Sequence, residues 1–113
     1  MIQIYHNTKC STSRQGLEFI KESGKDFQII EYMKNPLTQK DLKDLIKKLK
    51  ISPMDLIRKK EQIWKENYEG KELPDDELIE LMIQFPNLME RPIVVNGKQA
   101  VIGRPPSLIK DIL

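Results

Sequence analysis

The chain has one cysteine, Cys10, and one histidine, His6. A lone cysteine excludes an internal disulfide, a cysteine-based zinc site and a Cys-x-x-Cys pair, and a lone histidine excludes every multi-histidine metal motif. No metal is therefore expected. Arginine is also scarce, with four residues (Arg14, Arg58, Arg91, Arg104) against fifteen lysines. No apolar run reaches the roughly 18 residues of a membrane span, and the start Met-Ile-Gln-Ile-Tyr-His is too short for a secretion signal. Neither charge sign dominates. Nineteen basic side chains oppose seventeen acidic ones for a net +2, too little to predict nucleic acid or an acidic lipid surface as a partner. The expectation is a cytoplasmic protein, where a lone thiol stays reduced. What remains is ordinary: 113 residues, 39% hydrophobic and 32% charged, the composition and length of one folded domain spanning 1–113.

Hydrophobic periodicity divides the chain in three. Ile2 to Tyr5 reads as a strand and His6 to Lys9 as a polar loop. The hydroxyls of Ser11, Thr12 and Ser13 offer N-caps to a helix that buries Leu17 and Ile20 and closes at Gly24. Phe27 to Tyr32 reads as a second strand, so the opening is β-α-β with a right-handed crossover. After the break at Asn35-Pro36, Thr38 and Asp41 form a capping box before the stripe Leu42, Leu45, Ile46, Leu49. A short helix is expected between Pro53 and Ile63. Another begins at Pro74 and buries Leu78, Ile79, Met82 and Ile83. The lysines between Lys40 and Lys50 read as a solvated face, and Trp64 and Tyr68 as packing anchors. Ile93-Val94-Val95, a turn at Asn96-Gly97, and Gln99 to Ile102 form a hairpin, and Pro105-Pro106 opens a last helix with Leu108, Ile109 and Ile112 inward. A βαβ unit joined to a ββα unit is the outline of an α/β thioredoxin-like fold, here with a helical insert at approximately 37–86 between the second and third strands.

Cys10 falls where the first strand gives way to a helix. Unpaired backbone N–H groups and the positive helix end favour a thiolate there. Arg14 lies one turn on, and the Ser13 hydroxyl is placed to donate to the sulfur. The alternative, a small buried apolar cysteine, sits poorly with its polar neighbours. Two of the four arginines stand in Arg-Pro pairs, Arg91-Pro92 and Arg104-Pro105, beside the hairpin. Their rigid forks suit tetrahedral oxyanions better than lysine does.

The segment Ile4-Tyr5-His6-Asn7-Thr8-Lys9-Cys10-Ser11-Thr12-Ser13-Arg14 resembles the active-site signature of ArsC-type, glutaredoxin-linked arsenate reductases. So do Leu56-Ile57-Arg58-Lys59, Arg91-Pro92-Ile93-Val94-Val95 and Gly103-Arg104-Pro105, with order and spacing kept over nearly the whole chain. Thr8 stands where many members carry proline and Ser11 where glycine is common. The resemblance implies a cis peptide at Pro92, with Cys10 attacking arsenate as a thiolate. It further implies that Arg58, Arg91 and Arg104 bind the oxyanion while His6, Ser13 and Arg14 support the thiolate. No bound cofactor is implied; glutathione is the co-substrate and glutaredoxin the partner, because a chain with one cysteine needs an external thiol to resolve its adduct. Two other classes compete. Spx-type regulators share the fold and bind RNA polymerase, but commonly use Cys-x-x-Cys, where this chain has Ser13. A monothiol-disulfide exchange protein would use Cys10 without needing three arginines.

Overall fold

The computed structural model describes all residues 1–113. The chain forms two compact units, one of residues 1–35 with 91–113 and one of residues 36–90. The first holds a four-stranded sheet in the order β2-β1-β3-β4, where β1 is Ile2–Tyr5, β2 Phe27–Ile30, β3 Ile93–Asn96 and β4 Gln99–Ile102. β1 and β2 are parallel, joined through helix α1 (Ser11–Glu22), while β3 runs antiparallel to both β1 and β4. This is the thioredoxin-like plan.

Its core is apolar and joins the two ends of the chain. Ile2 and Ile4 of β1, Val94 of β3, Ile20 of α1 and Ile109 near the C-terminus are all buried together. Alternation along β1 sends Ile2 and Ile4 to that face. The register Ile4↔Ile29 and Ile4↔Val94 fixes which residues share a level of the sheet. Two glycines let the layers close. A Cβ on Gly16 of α1 would lie 2.7 Å from Ile109 Cδ1 and 3.0 Å from Pro92 Cγ. A Cβ on Gly103 would meet the same two side chains at 2.8 and 3.0 Å. Pro92 and Ile109 therefore fill a slot that only hydrogen leaves open.

Four details differ from the sequence reading. The second strand stops at Ile30, because Glu31 O accepts from the N–H groups of Lys34 and Asn35 and turns the chain. The hairpin turn is Gly97-Lys98, one residue later than expected, because Asn96 is still paired with Gln99. Gly97, at φ +63°, supplies the left-handed conformation, and Asn96 instead donates its Nδ2 to Ile112 O at 2.7 Å. The last helix is a 3-10 helix over Pro106–Ile112, the tighter form that Leu108 N–H begins by bonding Pro105 O. Finally, the N-cap of α1 is Cys10 itself rather than one of the three hydroxyl residues after it.

The second unit is helical: α2 Gln39–Leu49, α3 Pro53–Leu56, α4 Gln62–Asn67 and α5 Asp75–Gln84, followed by a 3-10 turn at Pro86–Leu88. Thr38 Oγ1 accepts from Asp41 N–H and Asp41 returns the bond to Thr38 N–H, the expected capping box. A second box, Ser52 with Asp55, starts α3. The short helix expected between Pro53 and Ile63 is confined to α3, and α4 begins only at Gln62 and runs past that stretch; an isolated antiparallel bridge between Ile57 and Met89 parts the two. Leu42, Leu45, Ile46, Leu56, Leu78, Ile79 and Met82 are buried, and Trp64 stacks on Tyr68 with ring centroids 6.0 Å apart. No helix is long and apolar enough to cross a membrane.

Candidate active site

The loop between β1 and α1 is built around Asn7, which the sequence reading passed over. Its backbone carbonyl accepts from Cys10 N–H at 3.0 Å, and its side-chain Oδ1 accepts from Lys9 N–H at 3.0 Å. This is an Asx-type turn, for which an asparagine two residues before a polar position is the available signal. Its own N–H donates to Ser13 Oγ at 3.1 Å, and that hydroxyl lies 2.6 Å from His6 Nδ1. His6, Asn7 and Ser13 are all buried. The loop that carries Cys10 is thus fastened from inside.

Ser13 consequently acts on the sulfur differently from what its hydroxyl promised. The hydroxyl is committed to His6 and Asn7, and it is the Ser13 backbone N–H that faces Cys10. Thr12 contributes its N–H in the same way. The protonated thiol makes no formal capping bond, as expected of a weak acceptor, whereas an anion at that point meets two of the orphan donors of the helix end.

Two arginines complete the surroundings of the half-buried thiol. Arg104 Nη2 approaches Cys10 Sγ at 3.6 Å, and its Nε donates to Arg91 O at 2.8 Å. The Arg91 guanidinium also bonds the sulfur. Burial pushes the Cys10 thiol up, but the Ser13 N–H, the hydrogen bond and charge of Arg91 and the Thr12 N–H outweigh it, leaving the thiol below its ordinary value. Arg104 belongs with these groups on Coulombic grounds, as a guanidinium 3.6 Å from the sulfur. Arg91-Pro92 and Arg104-Pro105 are both cis. The second of these had no signal in the sequence.

Arg14 points elsewhere. Its Nη1 donates to Thr8 O at 2.9 Å, so it closes the loop and does not touch the thiol. Its charge acts instead on His6. Burial holds His6 below the usual imidazole range, with Arg14 and Lys21 pushing the same way and Glu31 opposing them. The imidazole is therefore neutral near pH 7. Arg58 lies in the helical unit. Its Nη1 donates to Glu61 Oε1, and its N–H bonds Leu88 O at 2.6 Å.

A thioredoxin-like sheet that presents a single activated cysteine at a helix N-terminus, with guanidinium groups on the sulfur, defines a thiol-dependent protein built for an anionic partner. The ArsC family profile matches residues 5–112. An arsenate reductase of Acidiphilium multivorum is 41% identical over 99% of this chain and 80% of its own length. The Escherichia coli protein carrying the name uncharacterized protein YfgD is 41% identical over 99% of this chain and 96% of its own. The solved arsenate reductase from Vibrio cholerae is 39% identical, covers 99% of this chain and 97% of its own, and superposes with a TM-score of 0.94. The chain belongs to the ArsC family.

Proposed function

We propose that this chain is an arsenate reductase that works through a covalent adduct on Cys10. One observation carries the reading in a family whose relatives bear that name: the Cys10 sulfur lies between helix N–H groups and the guanidiniums of Arg91 and Arg104. The thiolate attacks arsenic and one arsenate oxygen leaves as water, giving a sulfur–arsenic(V) adduct. Glutathione supplies the second thiol. Formation of a disulfide between Cys10 and glutathione delivers two electrons, and arsenic leaves as arsenite. Glutaredoxin then removes the glutathionyl group and restores the thiol. No prosthetic group takes part, and the glutathione-rich cytosol is the setting the cycle needs.

The residues divide the work. Arg91 and Arg104 hold the oxyanion and offset its charge while the sulfur adds, with Arg58 as a third oxyanion ligand. His6, neutral and bonded to Ser13, holds the loop rather than the proton, and Arg14 fixes the loop at Thr8. With Ser13 in place of a second cysteine, the chain has no internal thiol to resolve the adduct. The test is NADPH oxidation with arsenate, glutathione, glutaredoxin and glutathione reductase. Arsenate-dependent oxidation that Cys10→Ser abolishes is the expected result. Its absence from the parent chain, with a thiol that still reacts readily, overturns the assignment.

A further inference from the structure

Arg58 is held unlike Arg91 and Arg104. Its backbone is fixed on both sides: Arg58 N–H bonds Leu88 O at 2.6 Å, and Glu90 N–H bonds Leu56 O at 2.9 Å across the Ile57–Met89 bridge. The side chain has no such anchor. One nitrogen, Nη1, donates to Glu61 one turn on, and the buried Nε has no hydrogen-bond partner. The Arg58 and Glu61 side chains are 20% and 23% exposed. A guanidinium carries five N–H donors in a planar fork that matches a two-oxygen face. Glu61 uses one prong of it. The Nε donor, which forks with Nη2 on the side away from Nη1, is left buried and unsatisfied, so Glu61 alone does not saturate the guanidinium and an anion presenting two oxygens would be better matched to it.

We infer that Glu61 is a positioning and specificity residue, whose carboxylate occupies the Arg58 guanidinium as an internal stand-in for the oxyanion and is displaced when the oxyanion binds. The inference rests on the reading of Arg58 as an oxyanion ligand. It narrows the ligand class, because an anion must outcompete a tethered carboxylate. A doubly charged tetrahedral oxyanion with two oxygens for the fork does so; a singly charged anion does not. Glu61 therefore sets a threshold of charge and shape on what Arg58 accepts.

The experiment measures arsenate binding by calorimetry on the Cys10→Ser chain, where no adduct forms, and arsenate KM and kcat on chains that keep Cys10. Glu61→Gln should tighten binding and lower KM by about 1.5- to 5-fold, the range of a partly exposed ion pair, with kcat nearly unchanged. Glu61→Asp, which keeps the charge, should stay near the parent. Glu66→Gln removes an exposed carboxylate of α4 that bonds Gln62 and not Arg58, so it should have no such effect. In an Arg58→Gln background the gain from Glu61→Gln should vanish. Weaker or unchanged binding in Glu61→Gln, where Arg58→Gln itself weakens binding, overturns the inference. No loss on Arg58→Gln removes Arg58 from the oxyanion site and overturns it too. Failure of arsenate turnover with this binding pattern intact would count against the reductase reading alone.

Discussion

The sheet unit and the helical unit each hold an arginine that is proposed as an oxyanion ligand, but they hold it by different means. In the sheet unit Arg104 is tied by Nε to the Arg91 carbonyl, which leaves Nη2 for the sulfur. In the helical unit the Arg58 side chain is tied only to another side chain, the Glu61 carboxylate. A donor fixed by backbone is organised before its ligand arrives and costs no rearrangement. An ion pair between partly exposed side chains is weak and exchangeable. The contrast separates rigidly held arginines beside the nucleophile from an adjustable one, Arg58, whose side chain can exchange partners.

Removing the nucleophile should have the largest effect. Cys10→Ser should lower arsenate turnover by more than about 10³-fold, as loss of a covalent nucleophile does, with the thermal midpoint nearly unchanged in a melt. Arg104→Lys comes next. Lysine cannot keep both the bond to Arg91 O and the approach to the sulfur, so kcat should fall about 10²-fold, with the pH midpoint of thiolate absorbance moving up. The same change at Arg58 should alter KM more than kcat, and equal behaviour at both positions would erase the distinction between rigidly held and adjustable arginines.

Changes away from the thiol should act on stability, in smaller steps. Gly16→Ala adds a methyl into the slot held by Pro92 and Ile109. The clash should exceed the gain in helix propensity of about 1 kcal/mol and cost about 1–2 kcal/mol net in denaturant melts. Ile109→Val, which shortens the nearer side chain, should recover part of the loss. Thr38→Ala removes the cap of α2 and should cost about 1 kcal/mol without slowing Cys10 alkylation. The smallest effect is in pH. His6 is held below its unfolded value, so its contribution is complete above the ordinary imidazole range and declines as pH falls through it toward the folded value. Denaturation midpoints between pH 7 and 5 should therefore fall less steeply in His6→Asn than in the parent. Cys10, also lowered, adds stability above the ordinary thiol range and loses it as pH falls through the folded value.

Much of the sheet unit is legible in the sequence because its signals are local. β-branched runs mark the strands, and Cys10 announces itself by standing where a strand ends and a helix begins. The approach of Arg104 to Cys10, 94 residues apart, is legible only through the thioredoxin-like layout and the family resemblance, not through any local signal. The hidden features are those settled by competition between partners. Ser13 has one hydroxyl proton and several candidate acceptors, and His6 rather than the sulfur is its neighbour. Arg14 lies in the first turn of α1, one turn on from Cys10, yet bonds Thr8 O. Asn96 reads as a turn residue, but the ladder extends one pair further and passes the turn to Gly97. In the helical unit the capping box at Thr38 is visible, whereas the bridge at Ile57 that parts α3 from α4 depends on Met89, 32 positions away.

The most direct test of the central claim follows Cys10 by mass spectrometry with arsenate and glutathione present and glutaredoxin withheld. One glutathionyl group on the Cys10 peptide is expected, forming only when arsenate is added and matched one-to-one by arsenite released. Glutathionylation that ignores arsenate, or arsenite released without it, would contradict a cycle that runs through this thiol.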